Sequence, residues 1–184
     1  MHHDIASILI EKDRIAQRVH ELGHKMATDL YREGVTLDGD QRVIIIPVLT
    51  GSMVFVADLI RELPFKLRME VVAVSSYPGK SMESKGVRLK GDLPGDLAGA
   101  HVILVDDIFD SGQTLDVLGR LIKEQRPASL RSCVLLRKPG KAKVSFVPDY
   151  VGFDIPDEFV VGYGLDYDGF YRNFPAVAVL KDLG

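Results

Sequence analysis

The sequence predicts an α/β protein in which helices flank a parallel central sheet. Three observations predict it. Apolar runs at residues 43–48, 69–75, 101–105 and 130–136 read as strands buried on both faces, the pattern of a covered parallel sheet. Helical patterns fall between the first two runs (52–63) and between the last two (112–125), and such alternation implies right-handed crossovers. A loop of small polar residues, Asp110-Ser111-Gly112-Gln113-Thr114, follows the third run, on the side where open α/β sheets bind ligands.

Taken in order, the first element is a long helix. Ile15, Val19, Leu22, Met26 and Leu30 recur at steps of 4, 3, 4 and 4, which marks one apolar face ending near Gly34. The strand at 43–48 turns at Thr50-Gly51-Ser52 into the helix at 52–63. Residues 78–99 form the conspicuous irregular stretch, 22 residues with five glycines and two prolines. So long a loop in a compact domain predicts a functional lid or a disordered insert. Past residue 140, short β-like pieces around Val151, 159–163 and 176–180 are broken by Pro148, Pro156 and Pro175. They predict a small subdomain rather than more core sheet.

Composition narrows the class. At 184 residues, 46% hydrophobic and 27% charged, the chain fits one domain with a sizeable core. A net charge of −3 and a pI near 5.9 argue against a nucleic-acid partner. The apolar runs are too short to span a membrane, and the opening MHHDIAS lacks a signal pattern, so a cytoplasmic location is expected. Cys133, inside an apolar run, reads as a buried thiol. His20 and His24 lie off the apolar helix face and read as solvated, and His101 reads as an edge residue rather than a catalyst.

The chemistry concentrates in residues 102–114. Four apolar residues, Val102 to Val105, lead into Asp106 and Asp107 where the strand is expected to end, and then into the loop and a helix start. A helix start offers unpaired N–H groups and a positive dipole end, so it binds anions. Ser111 and Thr114 add hydroxyl donors, and Gly112 allows close backbone approach. The paired aspartates add acceptors for sugar hydroxyls, or a carboxylate shell near Mg2+. Such a site suits a phosphorylated sugar better than a bare nucleotide.

That residue order resembles the phosphoribosyl-diphosphate (PRPP) signature of the type I phosphoribosyltransferases. Three further segments are similar to hypoxanthine-guanine phosphoribosyltransferases, so the resemblance spans nearly the whole chain. The resemblance implies the type I fold in a single domain over 1–184. Its core is expected at about 35–140, a small hood at about 1–14 and 141–184, and a mobile loop at about 76–99 that Ser76 and Tyr77 open. It also implies roles, residue by residue. Asp106, Asp107, Asp110, Ser111, Gly112, Gln113 and Thr114 bind the ribose phosphate, and Asp110 accepts the purine N7 proton. Thr50, Gly51 and Arg172 bind diphosphate. The peptide before Gly51 is expected to be cis, and many relatives carry lysine where this chain has Thr50.

Lys138 would donate to the purine 6-oxo group, or Arg137 in its place after a slip of one residue. A lysine can only donate, so it pairs with an oxo group and not with adenine's amino group. Phe159 would stack on the base, with the Val160 backbone at its edge. Asp106 and Asp107 would serve Mg2+, and Asp166 a second Mg2+ through water, magnesium being the one cofactor expected. The implied reaction moves phosphoribosyl from PRPP to N9 of hypoxanthine or guanine, giving IMP or GMP and diphosphate. The expected partners are PRPP and the 6-oxopurine, with self-association as a dimer or tetramer. Two alternatives stay open: an RNA-binding, nucleotide-sensing regulator on the same fold, and a phosphoribosyltransferase for another base such as xanthine.

Overall fold

A computed structural model describes residues 2–75, 88–89 and 93–181. Its centre is β6 (His101–Phe109), whose first six residues are buried without a break. β2 (Val43–Leu49) lies parallel on one side of it, and β7 (Ser129–Arg137) lies parallel on the other. Beyond β2 come the short strands β3 (Leu67–Met69) and β4 (Val72–Ser75), and beyond β4 the antiparallel β5 (Arg88–Leu89). β8 (Tyr150–Asp154) closes the far edge, parallel to β7. The chain leaves β2 toward β3 and β4, then crosses back to β6 on the opposite side. That reversal opens a crevice at the carboxyl ends of β2 and β6.

Alternation along the strands sends side chains to two cores. Ile45, Ile103, Val105, Cys133 and Leu135 face α1 (Lys12–Arg32) and α2 (Met53–Leu59), meeting Met26, Leu30, Phe55 and Leu59. Ile44, Ile46, Val102, Leu104 and Val134 face α3 (Gln113–Glu124), meeting Leu115, Leu118 and Ile122. All five apolar positions read for α1 are buried. A single 3-10 turn, Ile60–Glu62, extends α2.

The structure corrects several expectations. The signature strand does not stop at 105. β6 stays paired to β7 as far as Phe109 opposite Arg137, so Asp106 and Asp107 sit on the strand itself. The run at 69–75 divides into β3 and β4, which keep one register on β2, Met69 opposite Ile45 and Val72 opposite Val48, with Glu70 N–H donating to Ile45 O at 3.0 Å between them. Tyr150–Asp154 joins the main sheet rather than a hood. Gly152 permits this, since a Cβ there would lie 2.3 Å from Leu135 O. Arg18 fixes the same strand to α1 by donating to Val151 O (2.9 Å) and Gly152 O (2.8 Å). The separate small sheet is β1 (Ile5–Ile10), β10 (Val177–Leu180) and β9 (Val160–Val161).

His101 lies on the central strand, buried beside Glu33 and Ser129 and remote from the crevice, so it is no edge residue. Cys133 is buried, and burial pushes its thiol up. The end of the irregular stretch is packed, with Leu97 fully buried in the α3-side core. Ser76 and Tyr77 lie outside the described residues. Among the described residues, no helix is long and apolar enough to cross a membrane.

Candidate active site

The crevice widens into a cavity of about 410 Å³, and four chain segments line it. Thr50 and Gly51 follow β2, Val74 lies on β4, Asp106 to Gly112 and Thr114 come from β6 and its loop, and Asp166 and Arg172 close the far wall. Gln113, the first residue of α3, is not among the lining residues. Gly112 holds a positive φ of 79°, and a Cβ there would meet Phe109 and Val144 at 2.7 Å. No side chain caps α3, so its first-turn amides have only a long side-chain contact, 3.5 Å, from Gln113 N to Ser111 Oγ, and Ser111, Gly112 and Thr114 line the site.

Asp106 and Asp107 are held by backbone donors. Asp106 Oδ1 accepts from Asp107 N and Asp107 Oδ1 from Ile108 N, both at 3.0 Å. Burial pushes the Asp106 carboxyl well above the usual carboxylate range, and the adjacent Asp107 charge pushes it further. Burial raises Asp107 too, against the opposing pull of its hydrogen bonds and of Arg172. These adjacent acids, Asp106 buried and Asp107 half-buried, are poised for a cation or for hydroxyl donors.

Gly51 sits against Asp107: a Cβ at 51 would lie 1.8 Å from Asp107 Oδ2. The cis peptide lies one bond earlier than expected, at Leu49–Thr50 rather than at the bond before Gly51. Ser52 Oγ donates to Val48 O (2.6 Å), binding the turn back onto β2. On the far wall Arg172 donates to Gly164 O (2.6 Å) and pairs with Asp166 at 2.7 Å. Asp166 also accepts from Gly169 N at 2.8 Å.

The expected purine residues sit beside this cavity rather than in its lining. Lys138 is buried at the end of β7, its N–H bonded to Phe109 O at 3.0 Å. Arg137 is locked in a two-pronged pair with Asp154 (2.6 and 2.9 Å), which separates the two neighbouring cations. Phe159 is 58% exposed, too open for a core side chain, and stands edge-on to Tyr167 at 5.7 Å. Val160 is buried in β9 opposite Val179.

Two charged residues that sequence reasoning passed over belong to this neighbourhood. Asp157 accepts from Lys138 Nζ (3.3 Å) and from Lys141 Nζ (2.7 Å), and Lys141 also reaches Asp110 at 3.4 Å. The only hint in the sequence is Pro139-Gly140, a turn able to return Lys141 toward Lys138.

As for a metal, no group of three or more potential ligands stands together among the described residues. The donor set nevertheless fits magnesium, which uses one or two carboxylates and completes its shell with waters and substrate phosphates. His20 and His24 form no such site: their rings pack edge-on at 4.5 Å, and His20 pairs with Glu62 at 2.7 Å.

The fold and the crevice are those of a phosphoribosyltransferase, and residues 13–168 match the family model described as the phosphoribosyl transferase domain. The hypoxanthine-guanine phosphoribosyltransferase of Mycobacterium tuberculosis is 44% identical over 177 residues, 96% of this chain and 87% of that one. The solved hypoxanthine phosphoribosyltransferase of Trypanosoma cruzi superposes with a TM-score of 0.91 at 38% identity, covering 98% of this chain and 94% of that one. The same organism's enzyme, solved in complex with the product IMP, gives 0.89 at 38% identity, over 99% and 97%. The chain belongs to the hypoxanthine-guanine phosphoribosyltransferase family.

Proposed function

We propose that this chain transfers the 5-phosphoribosyl group of PRPP to N9 of hypoxanthine or guanine, releasing diphosphate and IMP or GMP. One observation carries the reading: the Asp106–Asp107 pair and the uncapped start of α3 line one cavity, together with Thr50, Gly51 and Arg172. The amides and hydroxyls of 111–114 would hold the 5′-phosphate, while Asp106 and Asp107 accept from the ribose hydroxyls. Thr50, Gly51 and Arg172 would take the diphosphate. A magnesium ion bound with the substrate would be held by Asp106 and Asp107, and a second one through water by Asp166; they would neutralise charge on the leaving group.

The bond from C1′ to diphosphate breaks with its electron pair leaving on oxygen, and the N9 lone pair forms the new bond. Asp110 accepts the N7 proton, which raises the nucleophilicity of N9. Phe159 stacks on the base, Val160 meets its edge through the backbone, and Lys138 donates to O6. A donor-only reader supports the choice of 6-oxopurines over adenine. We also propose self-association, supported by the exposed apolar side chains Met69 and Val71 beside β3 and β4.

The test is direct. With PRPP and magnesium, hypoxanthine, guanine, xanthine and adenine are offered separately and each monophosphate is followed. Product from hypoxanthine or guanine and none from adenine is expected. No product from any 6-oxopurine overturns the reading.

A further inference from the structure

The turn after β7 carries a lysine that the mechanism above does not use. Pro139 and Gly140, the latter with φ of 79°, reverse the chain, and Lys141 N–H returns to Lys138 O at 3.4 Å. Lys141 Nζ then stands between two carboxylates, 2.7 Å from Asp157 Oδ1 and 3.4 Å from Asp110 Oδ1. The same Asp157 oxygen accepts from Lys138 Nζ at 3.3 Å. The result is one line of alternating charge running Asp110, Lys141, Asp157, Lys138. Its two ends are the groups assigned to the N7 proton and to O6, which are neighbouring atoms on one edge of a 6-oxopurine. Reading both atoms at once requires a fixed spacing between Asp110 and Lys138, although they come from different loops.

We infer that Lys141 is a positioning residue: anchored by Asp157, it orients the Asp110 carboxylate toward the purine edge and sets its distance from Lys138. This rests on the proposed phosphoribosyl transfer. The two carboxylates hold the Lys141 ammonium, and the Asp157 hydrogen bond is the stronger influence raising its affinity for its proton. The side chains are largely solvent-accessible, with Lys141 38%, Asp110 44% and Asp157 59% exposed. Exposed pairs add little to stability. The line therefore acts on orientation and not on holding the fold together.

Lys141→Met keeps the stem and removes the charge. Wild-type turnover is read first: a wild type that makes no monophosphate defeats phosphoribosyl transfer itself, whereas an active one puts only Lys141 on trial. For the variant, kcat with hypoxanthine should fall about 10-fold through misplacement of the proton acceptor. KM for PRPP should stay within about twofold, the pattern of a lost transition-state contact. Lys141→Arg, which keeps a cation within reach of both carboxylates, should recover most of the loss. Lys141→Met turnover within about twofold of wild type overturns the inference. So does a loss that falls on KM for PRPP, or one that arginine fails to recover.

Discussion

The contact between Gly51 and Asp107 permits a quantitative prediction. In Gly51→Ala the new methyl carbon would lie 1.8 Å from Asp107 Oδ2 and 2.5 Å from its Cγ, whereas ordinary contacts lie at 3.4–4 Å. The carboxylate must retreat by about 1.5 Å to restore van der Waals distance. Retreat loosens the 3.0 Å bond that Asp107 Oδ1 accepts from Ile108 N. That loss costs about 1–3 kcal/mol, or a Tm lower by roughly 2–4 °C per kcal/mol in a chain of this size. The functional effect is much larger. The carboxylate that yields is the one assigned to the ribose, and a misplacement of about 1 Å can cost 10²-fold in rate. Initial rates of monophosphate formation at varied PRPP, beside a calorimetric melt, measure both. The expected result is a loss in kcat/KM of about 100-fold or more with a modest fall in Tm. A variant within about threefold of wild type in kcat/KM would refute the steric argument.

Three other outcomes are expected. Asp110→Asn should lower kcat by about 10²-fold or more while PRPP affinity, read by calorimetry, stays near wild type; comparable turnover removes Asp110 from the proton-transfer role. Lys138→Gln supplies an amide that can both donate and accept, so adenine should gain on hypoxanthine by about 10²-fold in relative kcat/KM; unchanged discrimination would place the O6 contact elsewhere. Asp106→Asn should be more stable than wild type in the absence of ligand, and increasingly so with rising pH. Burial raises the native Asp106 value above the unfolded one. Its favourable contribution is therefore complete below about pH 4 and lost as pH rises through the native value. Equal melting differences at every pH would contradict that origin.

How far the sequence disclosed this molecule depended on the range of the forces involved. The β6–α3 junction was legible because an apolar run, two acids and a small-residue loop state their roles within thirteen residues. Pairing between strands was not. Whether β6 ends at Val105 or continues to Phe109 is decided by β7, so local sequence places the acids after the strand when they lie on it. Pro148 and Pro156 made Tyr150–Asp154 look like a peripheral piece, yet its glycine allows it to lie against β7. Beyond the Pro139-Gly140 turn, Asp157 and Lys141 carry no local pattern, and the meeting of two loops reveals them.

The most direct measurement is the structure of the protein crystallised with PRPP and magnesium. The 5′-phosphate oxygens should lie within about 3 Å of the 111–114 amides, and the ribose hydroxyls at similar distance from Asp106 and Asp107. Diphosphate should meet Gly51 and Arg172. PRPP bound with its phosphate away from the α3 amino terminus, or with its ribose out of reach of both aspartates, would contradict it.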